Sequence, residues 1–534
     1  MRSAFTVAAV TAGISLGVAT GLATPVFADP PPPTATPIQH LVVIFQENIS
    51  FDHYFGTYPV AANSDGTPFT ALPNTPSVNG IAAGLLTNNP NAGNPANGSD
   101  AVNPFRLSHS QVTTCDQNHD YGPEQLAFDQ GLIDAYPVEV GNGNCGGFDY
   151  GHGAGLVMGY FDGNTVTAMW NYAQNFALND NSFDTTFGPS AVGALNLVSG
   201  QTGGVVATGN GPSVPPIPGP IPDDEVIGST VVGDPQPYGD VCANRDQARL
   251  QGTNIGDLLN AKGLSWGFFE GGFNLTTINP NGSTGCNRSH EESGNQGDKS
   301  DYIPHHQPFQ FYVSTSNLTH TRPNVKVNEY GTSADTGANH QYDSDDFLAT
   351  LASGNLPAVS FIKAPGYEDG HAGYSDPLLE QQFIVGVINQ IMYSRFWKDT
   401  AIVIAYDDSD GWYDHVAPPI VNSSATSQDQ LNGAGKCGNG TPLENDEGVP
   451  IEGRCGHGPR LPLVLISPFA KANFVDHTLT DQSSIIRFIE DNWGTGRIGG
   501  GSYDALAGTL LNMFDFTQTQ YGKRRLILNP TTGN

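Results

Sequence analysis

The run Tyr406-Asp407-Asp408-Ser409-Asp410-Gly411-Trp412-Tyr413-Asp414-His415 directly follows the apolar stretch Ala401 to Ala405. A strand-like run that empties into several carboxylates places hard oxygen donors at a sheet's C-terminal edge, where open α/β sheets bind ligands. A second run of the same kind, Leu41-Val42-Val43-Ile44-Phe45-Gln46, ends in Glu47-Asn48. Glu47, Asp407 and Asp408 are anionic oxygen donors, and Asn48 adds a neutral one. Together they suit one divalent ion held from both halves of the chain. Ca²⁺, Mg²⁺ and Mn²⁺ fit such donors, and Zn²⁺ also accepts carboxylates. Asp410 and Asp414 extend a spacing like that of a calcium loop, but the full pattern closing on Glu is missing, which excludes an EF-hand. The plainer reading of these carboxylates is a structural ion or a hydrogen-bonded turn. Metal-assisted hydrolysis is the chemistry that two such strand ends suggest.

A hydroxyl comes next. Phe187-Gly188-Pro189-Ser190 precedes Ala191-Val192-Gly193-Ala194-Leu195-Asn196, which reads as the start of a helix with Ser190 as its N-cap. A hydroxyl there lies beside N–H groups that favour a phosphate, and a nearby metal lowers its pKa. Taken alone, Gly-Pro-Ser is more often a capping turn. Three histidines sit in polar, loop-like sequence: His119 in Asn118-His119-Asp120, His306 in His305-His306-Gln307-Pro308-Phe309, and His371 in Asp369-Gly370-His371. Imidazolium groups can face the charge on a phosphoryl group in transfer and protonate a leaving alkoxide. His53, His152, His340 and His477 are read as structural.

These residues need a scaffold. Segments 40–46, 357–362, 401–406 and 462–467 are continuous apolar runs, as strands covered on both faces are. Between the second and third, Leu379, Phe383, Val387, Ile388, Ile391 and Met392 recur at helical spacing, which makes a βαβ unit. Ser484 to Trp493 carries a second amphipathic pattern. The fold class is therefore α/β, with a central, mostly parallel sheet sandwiched by helices. Segments 57–105, 202–245 and 421–457 are rich in Gly, Pro, Asn and Ser and read as long loop insertions in a single domain over 38–534. Pro212 to Pro222 reads as a rigid excursion, with a partner-binding polyproline segment as the lesser alternative.

Residues 1–28 read as a signal peptide and 29–37 as a short linker, so export is expected, with the mature protein secreted or periplasmic. No later stretch is apolar enough for a transmembrane segment. Six cysteines fit that compartment, and sequential pairing of Cys115 with Cys145, Cys242 with Cys286 and Cys437 with Cys455 is the simplest of 15 arrangements. No C-x-x-C spacing is present, which argues against a thiolate zinc site. With 52 acidic against 21 basic residues and a net charge of -31, nucleic acid and anionic membranes are poor partners. The oligomeric state is not legible.

The stretches Glu47 to Gly56, Gly188-Pro189-Ser190, His305 to Phe309, Asp369-Gly370-His371 and Tyr406 to Pro419 together resemble the bacterial phosphoesterase family that contains secreted acid phosphatases and phospholipase C enzymes. That family lies in the alkaline-phosphatase superfamily, so an alkaline-phosphatase-like fold is implied. The resemblance implies that Glu47, Asn48, Asp407 and Asp408 hold one metal ion, that Ser190 is the attacking group and a further ligand, and that His119, His306 and His371 surround the phosphate. The chain departs from the phospholipase branch, which often has Thr where Ser190 stands. Ala191-Val192-Gly193-Ala194 also replaces a Pro-Asn pair of many members. The expectation is an acid phosphatase that hydrolyses phosphomonoesters through a phosphoserine, with His306 or His371 protonating the leaving alcohol. Phospholipase C action on phosphatidylcholine-type diesters is the alternative, so the substrate is a small phosphate ester or a phospholipid. A non-catalytic, calcium-stabilised binding protein is a remote alternative. The absence of a Cys-x-Pro-x-Arg segment argues against a sulfatase.

Overall fold

The computed structural model describes residues 33–209, 225–517 and 524–534. The expected signal peptide and the Pro212 to Pro222 excursion lie outside the described residues. The architecture is α/β, built on one eight-stranded sheet. Its strands are β1 (His40–Gln46), β2 (Ala177–Asn179), β3 (Trp266–Glu270), β4 (Gln341–Asp343), β5 (Val359–Lys363), β6 (Thr400–Tyr406), β7 (Leu463–Ile466) and β8 (Phe474–Asp476). They lie in the order β4-β3-β5-β1-β6-β7-β2-β8. β7 runs antiparallel to both of its neighbours, and every other pairing is parallel.

The three central strands are those that the sequence makes most apolar. β6 is buried along its whole length and β1 along all but its first residue, as expected where helices cover both faces of a parallel sheet. The expected strand over 357–362 is shifted in the fold: Pro357 and Ala358 precede β5, and Lys363 closes it. Proline has no N–H for the ladder, which accounts for the later start. β2, β3, β4 and β8 were not expected; three of them are three residues long.

Four helices matter for the site: α1 (Ser190–Ser199), α2 (Ser344–Ala352), α3 (Pro377–Tyr393) and α4 (Ser483–Trp493). α3 links β5 to β6, which flank β1, completing the expected βαβ unit. Asp376 caps it by accepting from Leu378 N and Leu379 N, and Pro377 opens its first turn. Its buried face differs from the expected one. Val387, Ile388, Ile391 and Met392 are buried, but Leu379 and Phe383 are only half-buried, while Glu380 and Gln381 are buried. Glu380 accepts from the hydroxyls of Tyr54 and Tyr406, both at 2.7 Å, so hydrogen bonding holds a carboxyl where apolar periodicity would place a hydrocarbon. α4 buries Ile485, Ile486, Phe488 and Ile489 and packs against α1.

All three sequential disulfides form, spanning 30, 44 and 18 residues. Val205–Gly209, Gln236–Pro237 and Gln247–Leu250 make a small three-stranded sheet beside the main one. Among the described residues, no helix is long and apolar enough to cross a membrane.

Candidate active site

Strand register assembles the site. Gln46 pairs with Tyr406, so Glu47 and Asp407 leave adjacent parallel strands side by side. Ile44 pairs with Ile362, which brings Lys363 to the same edge from the other neighbour. Asn48 then turns into the left-handed region (φ 57°), a conformation Asn tolerates well. Its N–H donates to Asp407 Oδ1 at 3.0 Å, and Asp408 N donates to the same oxygen at 2.9 Å. Asp407 Oδ2 faces Lys363 Nζ at 3.3 Å, and that ammonium also pairs with Glu47 Oε1.

Ser190 arrives from α1. It is the first helical residue, and Pro189 rather than Ser190 occupies the cap position, contrary to expectation. The physical reason is that carboxylates claim its hydroxyl. Ser190 Oγ donates toward Asp408 Oδ2 at 3.0 Å and Glu47 Oε2 at 3.1 Å, with Asn48 Oδ1 at 3.5 Å. Ser190, Glu47, Asn48, Asp407 and Asp408 are all buried. The structure thus brings together the five residues expected around a metal. Asp407 joins them through the Asn48 N–H and Lys363.

The three histidines gather on the same edge. His306 Nδ1 lies 3.3 Å from Glu47 Oε1. His119 places Nε2 3.5 Å from Asn48 Nδ2, while Nδ1 bonds Gln117 O at 2.9 Å and lies 3.4 Å from Asp410 Oδ1. His371 stands edge-on to His119, with ring centroids 6.1 Å apart, and stacks on Tyr374 at 4.3 Å. The four histidines read as structural from the sequence sit elsewhere, in packing or surface roles. His53 bonds Gly159 O and stacks on Trp412, His152 stacks on Phe105, His340 stacks on Trp266, and His477 pairs with Asp180.

Burial sets the electrostatics. It drives His306 well below the usual imidazole range, helped by His305 and Lys363, and lowers His371 to about 4. His119 is the exception: burial alone pulls it down, but Asp408 and Asp410 raise it well above that range. Burial also pushes Glu47 and Asp408 well above the carboxylate range, with Asp407 adding repulsion at both. Buried carboxylates in such conflict, with oxygen donors converging on one hydroxyl, fit a hard divalent ion that would relieve the repulsion. Glu47 also groups with His306 and Asp369, their ligand atoms within 4.8 Å of one another.

Several residues at the site were not singled out from the sequence. Lys363 ends β5, and its position at a strand terminus was the available signal. Glu124 accepts from Gly188 N at 3.2 Å and Ser409 Oγ at 2.7 Å, bracing the turn before Ser190 against the turn after Asp408. Asp234 accepts from Ala191 N at 2.8 Å. Nothing in the local sequence of Glu124 or Asp234 announces these long-range partners.

A family model described as the Phosphoesterase family matches residues 38–496. The non-hemolytic phospholipase C of Pseudomonas aeruginosa is 31% identical over 180 residues, covering 32% of this chain and 25% of that protein. The non-hemolytic phospholipase C of Burkholderia pseudomallei is 25% identical over 467 residues, covering 86% of this chain and 55% of the relative. Phospholipase C A of Mycobacterium tuberculosis is 22% identical over 521 residues, covering 95% and 82%. The chain thus spans a quarter and about half of the first two relatives' lengths. Among solved structures, a protein in the alkaline phosphatase superfamily from Vibrio parahaemolyticus is matched at 11% identity and a TM-score of 0.26 over 62% of each chain. With the matched region running from β1 through α4, the chain belongs to the Phosphoesterase family.

Proposed function

We propose that this chain is an exported, metal-dependent phosphoesterase that works through a phosphoserine at Ser190. The observation that carries the reading is the Ser190 hydroxyl itself, which forgoes a capping role and points at Asp408 and Glu47 from a helix N-terminus. Glu47, Asn48, Asp407, Asp408 and Ser190 are the residues that would hold the ion. When bound, a divalent ion supplies Lewis-acid charge at the hydroxyl and at a phosphate oxygen.

The chain's own residues do the rest. Ser190 Oγ–H gives its proton to a facing carboxylate as Oγ forms a bond to phosphorus and the bond to the leaving alcohol breaks. A histidine at this edge protonates that alcohol, His306 or His371 as the sequence suggests, or His119, whose Nε2 lies beside Asn48. Water then attacks the phosphoserine and gives its proton to a neutral histidine, His306 or His371, as the P–Oγ bond breaks; Ser190 Oγ takes back the proton held by the carboxylate, and for a monoester inorganic phosphate leaves.

Two substrate readings follow. Hydrolysis of phosphomonoesters, the expected acid phosphatase activity, uses every element above. Cleavage of a phospholipid diester is favoured by the relatives, since each one quoted is named a phospholipase C. Parallel assays on a chromogenic phosphomonoester and on phosphatidylcholine separate them, with Ser190→Ala and chelator as controls. Turnover of either that is abolished in both controls supports the reading. Turnover that survives Ser190→Ala in either assay contradicts it.

A further inference from the structure

α4 starts beside the chain that delivers Ser190. Thr480 and Asp481 pair in parallel with Ser182 and Phe183. Asp481 Oδ1 then accepts from Ser483 Oγ at 2.6 Å and from Ser484 N at 3.0 Å, and Asp481 N donates to Ser484 Oγ at 3.0 Å. These reciprocal bonds take over the capping of α4. Gln482, the residue at the cap position itself, makes no side-chain cap, and its amide is left to reach other elements.

That amide joins two of them. Gln482 Nε2 donates to Asp407 O at 2.6 Å and to Tyr406 O at 3.2 Å, and Oε1 accepts from Thr185 N at 3.0 Å. Carbonyls only accept and a backbone N–H only donates, so the partners fix which end of the amide faces which. Gln482, Thr185, Tyr406 and Asp407 are all buried. Tyr406 closes β6, Asp407 opens the carboxylate run, and Thr185 lies five residues before Ser190.

One short side chain thus fixes the distance between the strand end that carries Asp407 and Asp408 and the segment that leads into Ser190. Glu124 makes a second tie beyond those two aspartates, between Gly188 N and Ser409 Oγ. The segment is also fastened to α1, where Asn196 Nδ2 donates to Thr186 Oγ1 at 2.8 Å. Movement at Thr185 is therefore passed on to the helix that begins with Ser190.

We propose that Gln482 is a positioning residue: by gripping the Asp407 carbonyl and the Thr185 N–H at once, it holds the Ser190 hydroxyl against Asp408 and Glu47 in the geometry that attack on phosphorus needs. Its three hydrogen bonds go to backbone atoms, so it acts through Ser190 and the aspartates and not on substrate. The inference rests on the reading of Ser190 as the nucleophile. Without the amide, two buried carbonyls lose this donor and a buried N–H loses its acceptor. The strand end and the segment can then part, and about 1 Å of misplacement at a reacting group can cost about 100-fold in rate. The histidines that face the phosphate are anchored elsewhere, so the loss falls on kcat and leaves KM nearly unchanged.

The test is steady-state kinetics of wild type, Gln482→Met and Gln482→Asn on a chromogenic phosphomonoester and on phosphatidylcholine. Assays run at a saturating level of the divalent ion that best supports wild type, well below each melting temperature. Methionine fills a similar volume without the hydrogen bonds, and asparagine keeps the amide but is one methylene too short to span both partners. The expected result is kcat lowered by at least about tenfold in Gln482→Met and by a smaller factor, at least about threefold, in Gln482→Asn, with KM within about threefold of wild type in both. A residue that only supports the fold would lower the melting temperature and leave kcat of the folded enzyme alone. Wild-type kcat in Gln482→Met, or a loss confined to KM, would overturn the assignment; if that variant does not fold, Gln482→Asn decides in the same way. If metal-loaded wild type turns over neither ester, or Ser190→Ala turns over either as fast as wild type, the reading of Ser190 itself fails and the role of Gln482 falls with it.

Discussion

Gly193 of α1 lies so close to Asp407 that a Cβ built on it would stand 2.0 Å from the Asp407 carbonyl oxygen. This approach seats α1 directly on the end of β6 and so delivers Ser190, one turn earlier, to Asp408 and Glu47. It also explains a glycine in the middle of a helix, where it costs about 1 kcal/mol against alanine. Gly193→Ala must push the helix off the strand end. Overpacking of this kind costs about 1–3 kcal/mol, and misplacing a reacting group by about 1 Å can cost about 100-fold in rate. Activity assays beside thermal melts should find turnover falling much further than stability alone explains; wild-type turnover would contradict the packing argument.

The carboxylates make metal dependence directly testable. Chelation should abolish activity and lower the melting temperature, because Glu47, Asp407 and Asp408 then repel one another in a buried site. Ca²⁺, Mg²⁺, Mn²⁺ and Zn²⁺ added back in turn should identify the ion. Asp408→Asn should lose activity while weakening the metal-dependent rise in melting temperature. An Asp408→Asn enzyme that keeps both would remove this residue from the ligand set.

Lys363 sits between Glu47 and Asp407 with 1% exposure. Removing one partner of a buried ion pair leaves an uncompensated charge and costs about 3–5 kcal/mol. Lys363→Met should therefore be destabilised strongly without metal and much less with it, since a divalent ion can take over the compensation. Denaturant titrations with and without the ion measure that difference, and an equal loss in both conditions would show that Lys363 acts independently of the metal.

A buried carboxyl of α3 titrates far above its ordinary range. Burial pushes Glu380 from 4.5 to about 8, against hydrogen bonds from Tyr406 and Tyr54 that favour its charged form. The folded chain binds this proton more tightly than the unfolded chain. Its contribution to stability is therefore complete below pH 4.5 and is lost as pH rises toward about 8, at up to ~1.4 kcal/mol per pH unit. Glu380→Gln has no such titration, so its stability relative to the parent should improve steadily across that window. Parallel stability profiles would contradict the shift.

The sheet's centre was legible because β1 and β6 are unbroken apolar runs, and each ends in the donors that matter. The site was legible for the same reason, since Glu47-Asn48 and Asp407-Asp408 are strand ends and Ser190 begins a helix. What could not be read depends on partners far apart in sequence. β2, β4 and β8 are too short to show a period, and Asp234 meets Ala191 through an insertion whose path the sequence does not reveal. Ser190 looked like a cap because the competing carboxylates lie more than a hundred residues away on either side. Asp408 and Asp410 likewise shift His119, and no local pattern connects them to it. Substrate class was the least legible feature: a serine in place of threonine suggested a phosphatase, whereas the relatives quoted carry the name phospholipase C.

The central claim is that Ser190 becomes covalently phosphorylated. Rapid acid quenching during turnover of a chromogenic phosphomonoester and of a phospholipid, followed by peptide mass spectrometry, tests it most directly. The account predicts a phosphoryl group, or the phosphorylated headgroup of a diester, on the peptide carrying Ser190 and none in Ser190→Ala. Steady turnover with an unmodified Ser190, or with the label on another residue, would contradict it.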